Sequence, residues 1–327
     1  MVNTKWRNQT SITEFILLGF GSLQELQTPL FLLFLMIYIV TMAGNILIIA
    51  LIVTDQNLHT PMYFFLGNLS CLETCYTSTI LPRMLAGLLT RDRTISIAGC
   101  FVQYYFFGCL AGSECYLLAA MSYDRYLAIC KPLHYTMMMN GRFCLLLITV
   151  SWIICFVINS IIIFLLSHLI FCGPNEIDHF FCDLTPLINV SCSDTERIEL
   201  LAFILSSLIA LGPFLLTLTS YMCIIATIVR IPSASRRHKA FSTCSSHLIV
   251  VTIFYGTLIL VYLLPKTHTL RDLNKLFSLF YTVLTPLANP LIYSLRNKEV
   301  SKALSKGVRE FTDFFGRQTL HYCFRLK

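Results

Sequence analysis

The sequence predicts an all-α membrane protein: a bundle of seven transmembrane helices, N-terminus extracellular, with a short amphipathic helix after the seventh span. Three observations carry this. The 327 residues are 56% hydrophobic and only 13% charged, against about 25% charged in soluble domains. The few charges bracket seven long apolar runs. The third run closes on Asp124-Arg125-Tyr126, an acid beside a base where a membrane helix meets water. Isolated charge is costly at that depth, and a pair that can be made and broken is a natural switch.

The spans follow from the gaps between charges. Glu25 to Asp55 encloses the first; Asp55 to Arg83 the second, interrupted by Glu73; Arg93 to Asp124 the third, interrupted by Glu114. Arg142 to Glu176, Glu199 to Arg230, Lys239 to Lys266 and Lys275 to Arg296 enclose the rest. Each run holds roughly 20 or more apolar residues, enough to cross about 30 Å of hydrocarbon as helix. They do not alternate as barrel strands do. The spans are placed at about 26–54, 61–86, 97–130, 143–166, 198–230, 238–263 and 275–295. Together they form a transmembrane domain over 26–296, between an extracellular tail at 1–25 and a cytoplasmic tail at 297–327.

Orientation comes from Lys and Arg in short loops. With the N-terminus outside, the cytoplasmic face holds Lys131, Arg142, Arg230, Arg236, Arg237, Lys239 and a basic tail. The outer face holds fewer, among them Arg91, Arg93, Lys266 and Lys275. The net charge of +7 reads as attraction to membrane lipid at the cytoplasmic leaflet. Nucleic acid is not an expected partner, because no soluble module carries the basic residues. Residues 1–25 lack the apolar core of a signal peptide, so the first span is expected to act as its own signal. Asn8-Gln9-Thr10 is a glycosylation sequon in the outer tail.

Most of the 14 Cys lie within spans, where a thiol is a small apolar filler. Cys100, Cys172, Cys182 and Cys192 fall on the outer side, and four cysteines allow three pairings. The loop from about Ser167 to Arg197 is long for a simple connection. Within the spans, Asn45, Glu73, Glu114 and Asn289 should face the bundle interior. If the two acids face each other, either one carries a proton or a cation sits between them. Pro213, Pro286 and Pro290 should kink spans five and seven.

Longer motifs now converge. Pro61-Met62-Tyr63-Phe64-Phe65-Leu66 opens the second span, and Met121 to Cys130 continues through Pro132-Leu133-His134-Tyr135. Lys239-Ala240-Phe241-Ser242-Thr243-Cys244-Ser245-Ser246-His247 opens the sixth, and Asn289-Pro290-Leu291-Ile292-Tyr293 closes the seventh. The chain resembles an odorant receptor of the rhodopsin-like G-protein-coupled class, nearly end to end. It departs at Glu73, where the family usually has Asp; the extra methylene changes the geometry of a cation site. Ser122, Arg236 and Ala288 are further departures.

The resemblance implies disulfides Cys100–Cys182 and Cys172–Cys192. It implies a small volatile odorant as ligand and a heterotrimeric G protein of the stimulatory olfactory type as partner. Residence in the ciliary plasma membrane of sensory neurons follows from the same likeness. Coupling would rest on Asp124, Arg125, Tyr126, Tyr221, Lys239 and Tyr293. The ligand site would lie in the outer half of spans three, five, six and seven. Phe107, Gly108, Ala111 and Gly112 recur there at helical spacing; the two Gly either leave room for ligand or serve close helix packing. Ser206 and Ile209 in span five, and Tyr255, Leu258, Ile259 and Tyr262 in span six, complete the set. Phe107 stands where amine receptors carry Asp, which disfavours a charged aminergic ligand.

Other classes fit less well. A transporter would show paired repeats, and seven spans do not divide evenly. A retinal protein needs a Lys within span seven, and Phe277 to Leu295 contains none, so no cofactor is expected. An enzyme would need a nucleophile–base or metal constellation; Ser246-His247 is the nearest pair and lacks an evident third partner.

Overall fold

The structure, a computed structural model, describes residues 12–20, 26–172, 174–262, 271–296, 299–306 and 309; at 239, 243, 260, 262, 271–274 and 294–296 it describes the backbone alone. Seven long helical stretches dominate. They are α1 (Gln27–Thr54), α2 (Pro61–Thr90), α3 (Ile97–Cys130), α5 (Gly141–Leu166), α7 (Glu196–Val229), α8 (Ala234–Tyr262) and, in span seven, α9 (Arg271–Leu279) continued by α10 (Thr285–Arg296). Short helices α4 (Pro132–Met138) and α6 (Leu184–Asn189) lie in the second cytoplasmic and second outer loops. Residues 299–306 are again helical, with Val300 and Ala303 buried on one face.

Helix α3 is the central pillar. It buries 18 of its 34 residues, whereas peripheral α1 buries five of 28. That fits the lower apolarity of α2 and α3 relative to α1, α5 and α7. By length and apolarity alone, Gln27–Thr54, Gly141–Leu166, Glu196–Val229 and Lys275–Tyr293 qualify as spans among the described residues, and a bent α8 makes a fifth. Enclosed by neighbours, α2 and α3 meet little lipid and can carry Glu73, Glu114 and Asp124, all buried.

Close packing uses the small residues of α3. A Cβ on Gly108 would collide with Asn159 Oδ1 of α5. One on Gly112 would lie 2.8 Å from Cys155 Sγ and 2.9 Å from Ile209 of α7. Both glycines therefore serve helix packing, and neither opens space for a ligand.

Proline shapes span seven. Pro286 removes an N–H, and its ring would press on the carbonyl four residues earlier. The helix widens into a π segment over Phe280–Leu284 just before it, where Thr285 Oγ1 donates to Phe280 O at 3.0 Å. The carbonyl of Pro286 would ordinarily accept from residue 290, which is also proline. Asn45 Nδ2 of α1 donates to it instead, at 3.3 Å. Pro213, by contrast, sits inside an unbroken α7.

The outer face departs from an all-α expectation. Strands β1 (Glu14–Leu17), β2 (Thr94–Ser96) and β3 (Glu176–Ile177) form a small sheet in the order β2-β1-β3, antiparallel then parallel. Alternation in β1 buries Phe15 and Leu17, a period too short to stand out in a four-residue strand. Disulfides Cys100–Cys182 and Cys172–Cys192 tie the long loop to α3 and to itself.

Gly112→Val should overpack the α3–α5–α7 junction at a cost of about 1–3 kcal/mol. Gly212→Val, at a position where an added Cβ meets nothing within 4 Å, should cost far less. Thermal unfolding of the two purified variants checks this; equal loss in both would contradict the packing role.

Candidate functional site

The outer mouth is closed by aromatic rings. Cys182, bound to the top of α3, donates its N–H to Gln103 Oε1 at 3.0 Å, and Gln103 Nε2 donates to Thr79 O at 3.0 Å. This grip sets Phe181 over the bundle, with its ring centroid 4.8 Å from that of Phe107. Phe107 also meets Tyr76 at 5.4 Å and Tyr281 at 6.1 Å. His179 stacks on Phe180 at 4.7 Å and meets Phe181 edge-on at 4.6 Å. Burial holds its imidazole at about 3, with the Lys275 charge pushing the same way and Asp178 opposing. Lys275 pairs with Asp178, joining span seven to the loop.

Beneath this lid, Tyr255 of α8 donates its hydroxyl to Cys115 O of α3 at 3.2 Å and packs on Phe214 at 5.1 Å. Ala111 and Leu258 pack on the same core as Phe107 and Tyr255.

A buried polar layer follows. Asn289 Nδ2 donates to Glu73 Oε1. Glu73 Oε2 and both oxygens of Glu114 are buried without a hydrogen-bond partner among the described residues. No group of three or more His, Cys, Asp or Glu is arranged to hold a metal ion among those residues.

Side-chain contacts tie the cytoplasmic ends of the helices together. Asp124, fully buried, accepts from Tyr135 OH at 2.8 Å and pairs with Arg125 Nη2 at 3.4 Å. Tyr221 OH of α7 meets His247 Nδ1 of α8 at 2.6 Å, with the rings stacked. Tyr126, Cys130, Ile224, Ile228 and Cys244 pack around this contact, binding α3, α7 and α8 together. Tyr293 is buried nearby in span seven. On α4, Tyr135 turns inward to Asp124, whereas Leu133 points away and is 91% exposed.

A family model described as olfactory receptor matches residues 34–310. The chain belongs to the olfactory receptor family. It is 48% identical over 300 residues to olfactory receptor 5AP2 of Mus musculus, covering 92% of this chain and 95% of that one. It is 49% identical over 299 residues to olfactory receptor 11A1 of Homo sapiens, covering 91% and 94%. Squid rhodopsin shares its fold, with a TM-score of 0.64 at 18% identity, covering 95% of this chain and 90% of that one. The protein is thus a multi-pass membrane receptor and not an enzyme.

The receptor brings together some of the residues expected at the ligand site and not others. Phe107, Ala111, Tyr255 and Leu258 share one core, and Ile209 is buried against Gly112. Gly108 and Gly112 face neighbouring helices. Ser206 is exposed although Ala202 and Ile209 beside it are buried. Ile259 is exposed, because the inward face of α8 runs through Val250, Phe254 and Thr257. Asn8 and the side chains of Tyr262 and Lys239 lie outside the described residues. Sequence reasoning missed Phe181, Tyr281 and the Tyr221–His247 bond. Phe181 was within reach, since a residue preceding a cysteine fixed to the top of span three must overhang the mouth. The His247 partner was not, because 26 residues separate the two.

The lid should loosen in acid. Opened, His179 takes up a proton near its ordinary value of about 6.5; closed, it resists down to about 3. Lid closure is therefore strongest above about pH 6.5 and weakens as pH falls from there toward 3. At pH 5 the loss is about 2 kcal/mol, or about thirtyfold in the opening equilibrium. Hydrogen exchange at residues 177–183, corrected for intrinsic rates, should show this in the native receptor and not in His179→Gln. Equal protection at pH 7.4 and 5 in the native chain would contradict it.

Proposed function

We propose that this receptor binds a small, uncharged volatile odorant in the outer half of the bundle and activates a stimulatory, olfactory-type G protein, raising cyclic AMP. Its site of action on this reading is the plasma membrane of olfactory cilia. The observation that carries the coupling is the double lock at the cytoplasmic ends of α3, α7 and α8: Asp124–Arg125 and Tyr221–His247.

The ligand would sit among Phe107, Ala111, Ile209, Tyr255 and Leu258, below Phe181. None of these is charged, so an apolar ligand loses no ionic partner there and gains burial. The Tyr255 hydroxyl can exchange its bond to the Cys115 carbonyl for one to a ligand oxygen. Such a ligand biases activity only through its different affinity for the resting and active arrangements. Tyr255 and His247 lie on one helix, eight residues apart. A tilt of α8 that re-seats Tyr255 also draws His247 from Tyr221. Arg125, freed from Asp124, then reaches Tyr221 and the G protein, with Tyr126, Lys239 and Tyr293 bordering the opened crevice. Exposed Leu133 offers that protein an apolar anchor. Between the two ends, Glu73 and Glu114 share a proton or hold one cation, which stabilises two acids in a layer with no basic side chain among the described residues.

Arg125→Ala should keep normal surface levels and lose cyclic AMP output. Asp124→Asn should raise basal output, because the restraining pair is gone. Both are read as cyclic AMP per surface receptor across a panel of volatiles. Full-amplitude signalling by Arg125→Ala would sink the coupling scheme.

Tyr255→Phe should weaken polar agonists by roughly threefold to tenfold, the worth of one hydrogen bond. Apolar agonists of similar size should change little. A uniform shift across the panel would place Tyr255 in packing alone.

A further inference from the structure

Several basic residues on the outer face take no part in this scheme. Two of them, Arg83 and Arg93, line a cleft between the outer ends of α1 and α2 and the segment following β1. The cleft's floor is apolar, built from Leu17, Phe20, Leu30, Met84, Leu88 and Phe180. The floor is held by stacking: Phe20 lies 5.7 Å from Phe180 and 6.0 Å from Phe34, nearly parallel to both.

The cationic wall has capacity to spare. Among the described residues, Arg83 Nη2 donates to Thr94 O, and Arg93 Nη1 donates to Leu18 O at 3.1 Å. Each guanidinium has five N–H donors, so most remain for an anion. Asp92 also lines the cleft, but its carboxylate accepts from the amide and hydroxyl of Thr94 at 2.9 and 2.8 Å. It forms no ion pair within 4 Å of either arginine among the described residues. Among the described lining residues, two positive charges stand against one negative, so the wall is cationic. Leu33, one turn from Leu30, and Leu89, next to Leu88, are exposed and extend the apolar surface beyond the cleft.

We propose that this cleft binds an anionic amphiphile, with its carboxylate or phosphate head on Arg83 and Arg93 and its apolar chain along Leu30, Met84 and Leu88. The site is separate from the odorant site but not isolated from it. Phe180 forms part of the cleft on one side and meets His179 and Phe181 at 4.7 and 5.0 Å on the other. An occupant thus bears on the lid. The head belongs either to a free fatty carboxylate or to an outer-leaflet phospholipid.

The test uses the full receptor in nanodiscs of phosphatidylcholine, with or without phosphatidylglycerol, and a dodecanoate carrying a diazirine on its chain. After photolysis, peptides are mapped and labelling is normalised to folded receptor by size exclusion. Label is expected on residues 84–88 and 17–20, competed by dodecanoate and not by dodecanol. Arg83→Gln should reduce it by about fivefold or more, as for loss of a charge-assisted hydrogen bond, and Arg83→Lys should retain part. Leu88→Trp, which fills the floor and leaves the charges in place, should reduce it likewise. Suppression by phosphatidylglycerol would identify a phospholipid as the occupant; no suppression would identify the free carboxylate. Equal competition by dodecanol, or label spread over all lipid-facing helices and unmoved by both Arg83→Gln and Leu88→Trp, would overturn the proposal. Because the readout is labelling, it stands or falls independently of odorant signalling.

Discussion

Hydrocarbon offers no hydrogen-bond partner, and that constraint organises this receptor. Each polar group within the membrane must find its partner in the bundle or remain unpaired at a cost of several kcal/mol. The contact between Asn45 and the Pro286 carbonyl shows the consequence. Two prolines four residues apart leave that carbonyl without its usual donor, and a side chain from another helix supplies one. Gly44 lets the helices come close enough, since a Cβ there would lie 3.1 Å from Pro290. The same rule collects Asn45, Glu73, Glu114 and Asn289 in one layer beside α3, the most enclosed helix.

On the proposed scheme, the same economy of partners makes the bundle switchable. Among the described residues, the cytoplasmic ends of α3, α7 and α8 are joined by few polar contacts, the shortest being the bond between Tyr221 and His247. Few contacts mean a modest free-energy difference between closed and open arrangements, which a small ligand can bridge. Taking a two-state equilibrium from 1:99 to 99:1 needs about 5.5 kcal/mol of differential binding. A ligand of odorant size can provide that only by burying most of its surface, which fits an aromatic, lidded mouth.

Much of this was legible in the sequence. Charge spacing pointed to a bundle of long apolar helices, because a membrane permits few charges. The adjacent Asp124 and Arg125 declared their pairing. Less legible were the faces of helices near the outer surface. Ser206 follows Ala202 at helical spacing and still emerges exposed, because burial there depends on how far the neighbouring helices extend. Gly108 and Gly112 show the same ambiguity: a missing side chain can make room for a ligand or for a helix, and only the positions of Asn159 and Cys155 decide it. The outer sheet escaped notice because strands of two to four residues carry too little periodicity to read.

On the proposed scheme, the Tyr221–His247 contact holds the cytoplasmic face closed. Spin labels placed at positions 133 on α4 and 237 on α8, with pulsed dipolar distance measurement in nanodiscs, test it most directly. His247→Leu removes the contact from the α8 side and leaves Tyr221 in place. A longer-distance population should then appear without ligand, beside the single short distance of the native receptor. Identical distance distributions in the two proteins would contradict the account.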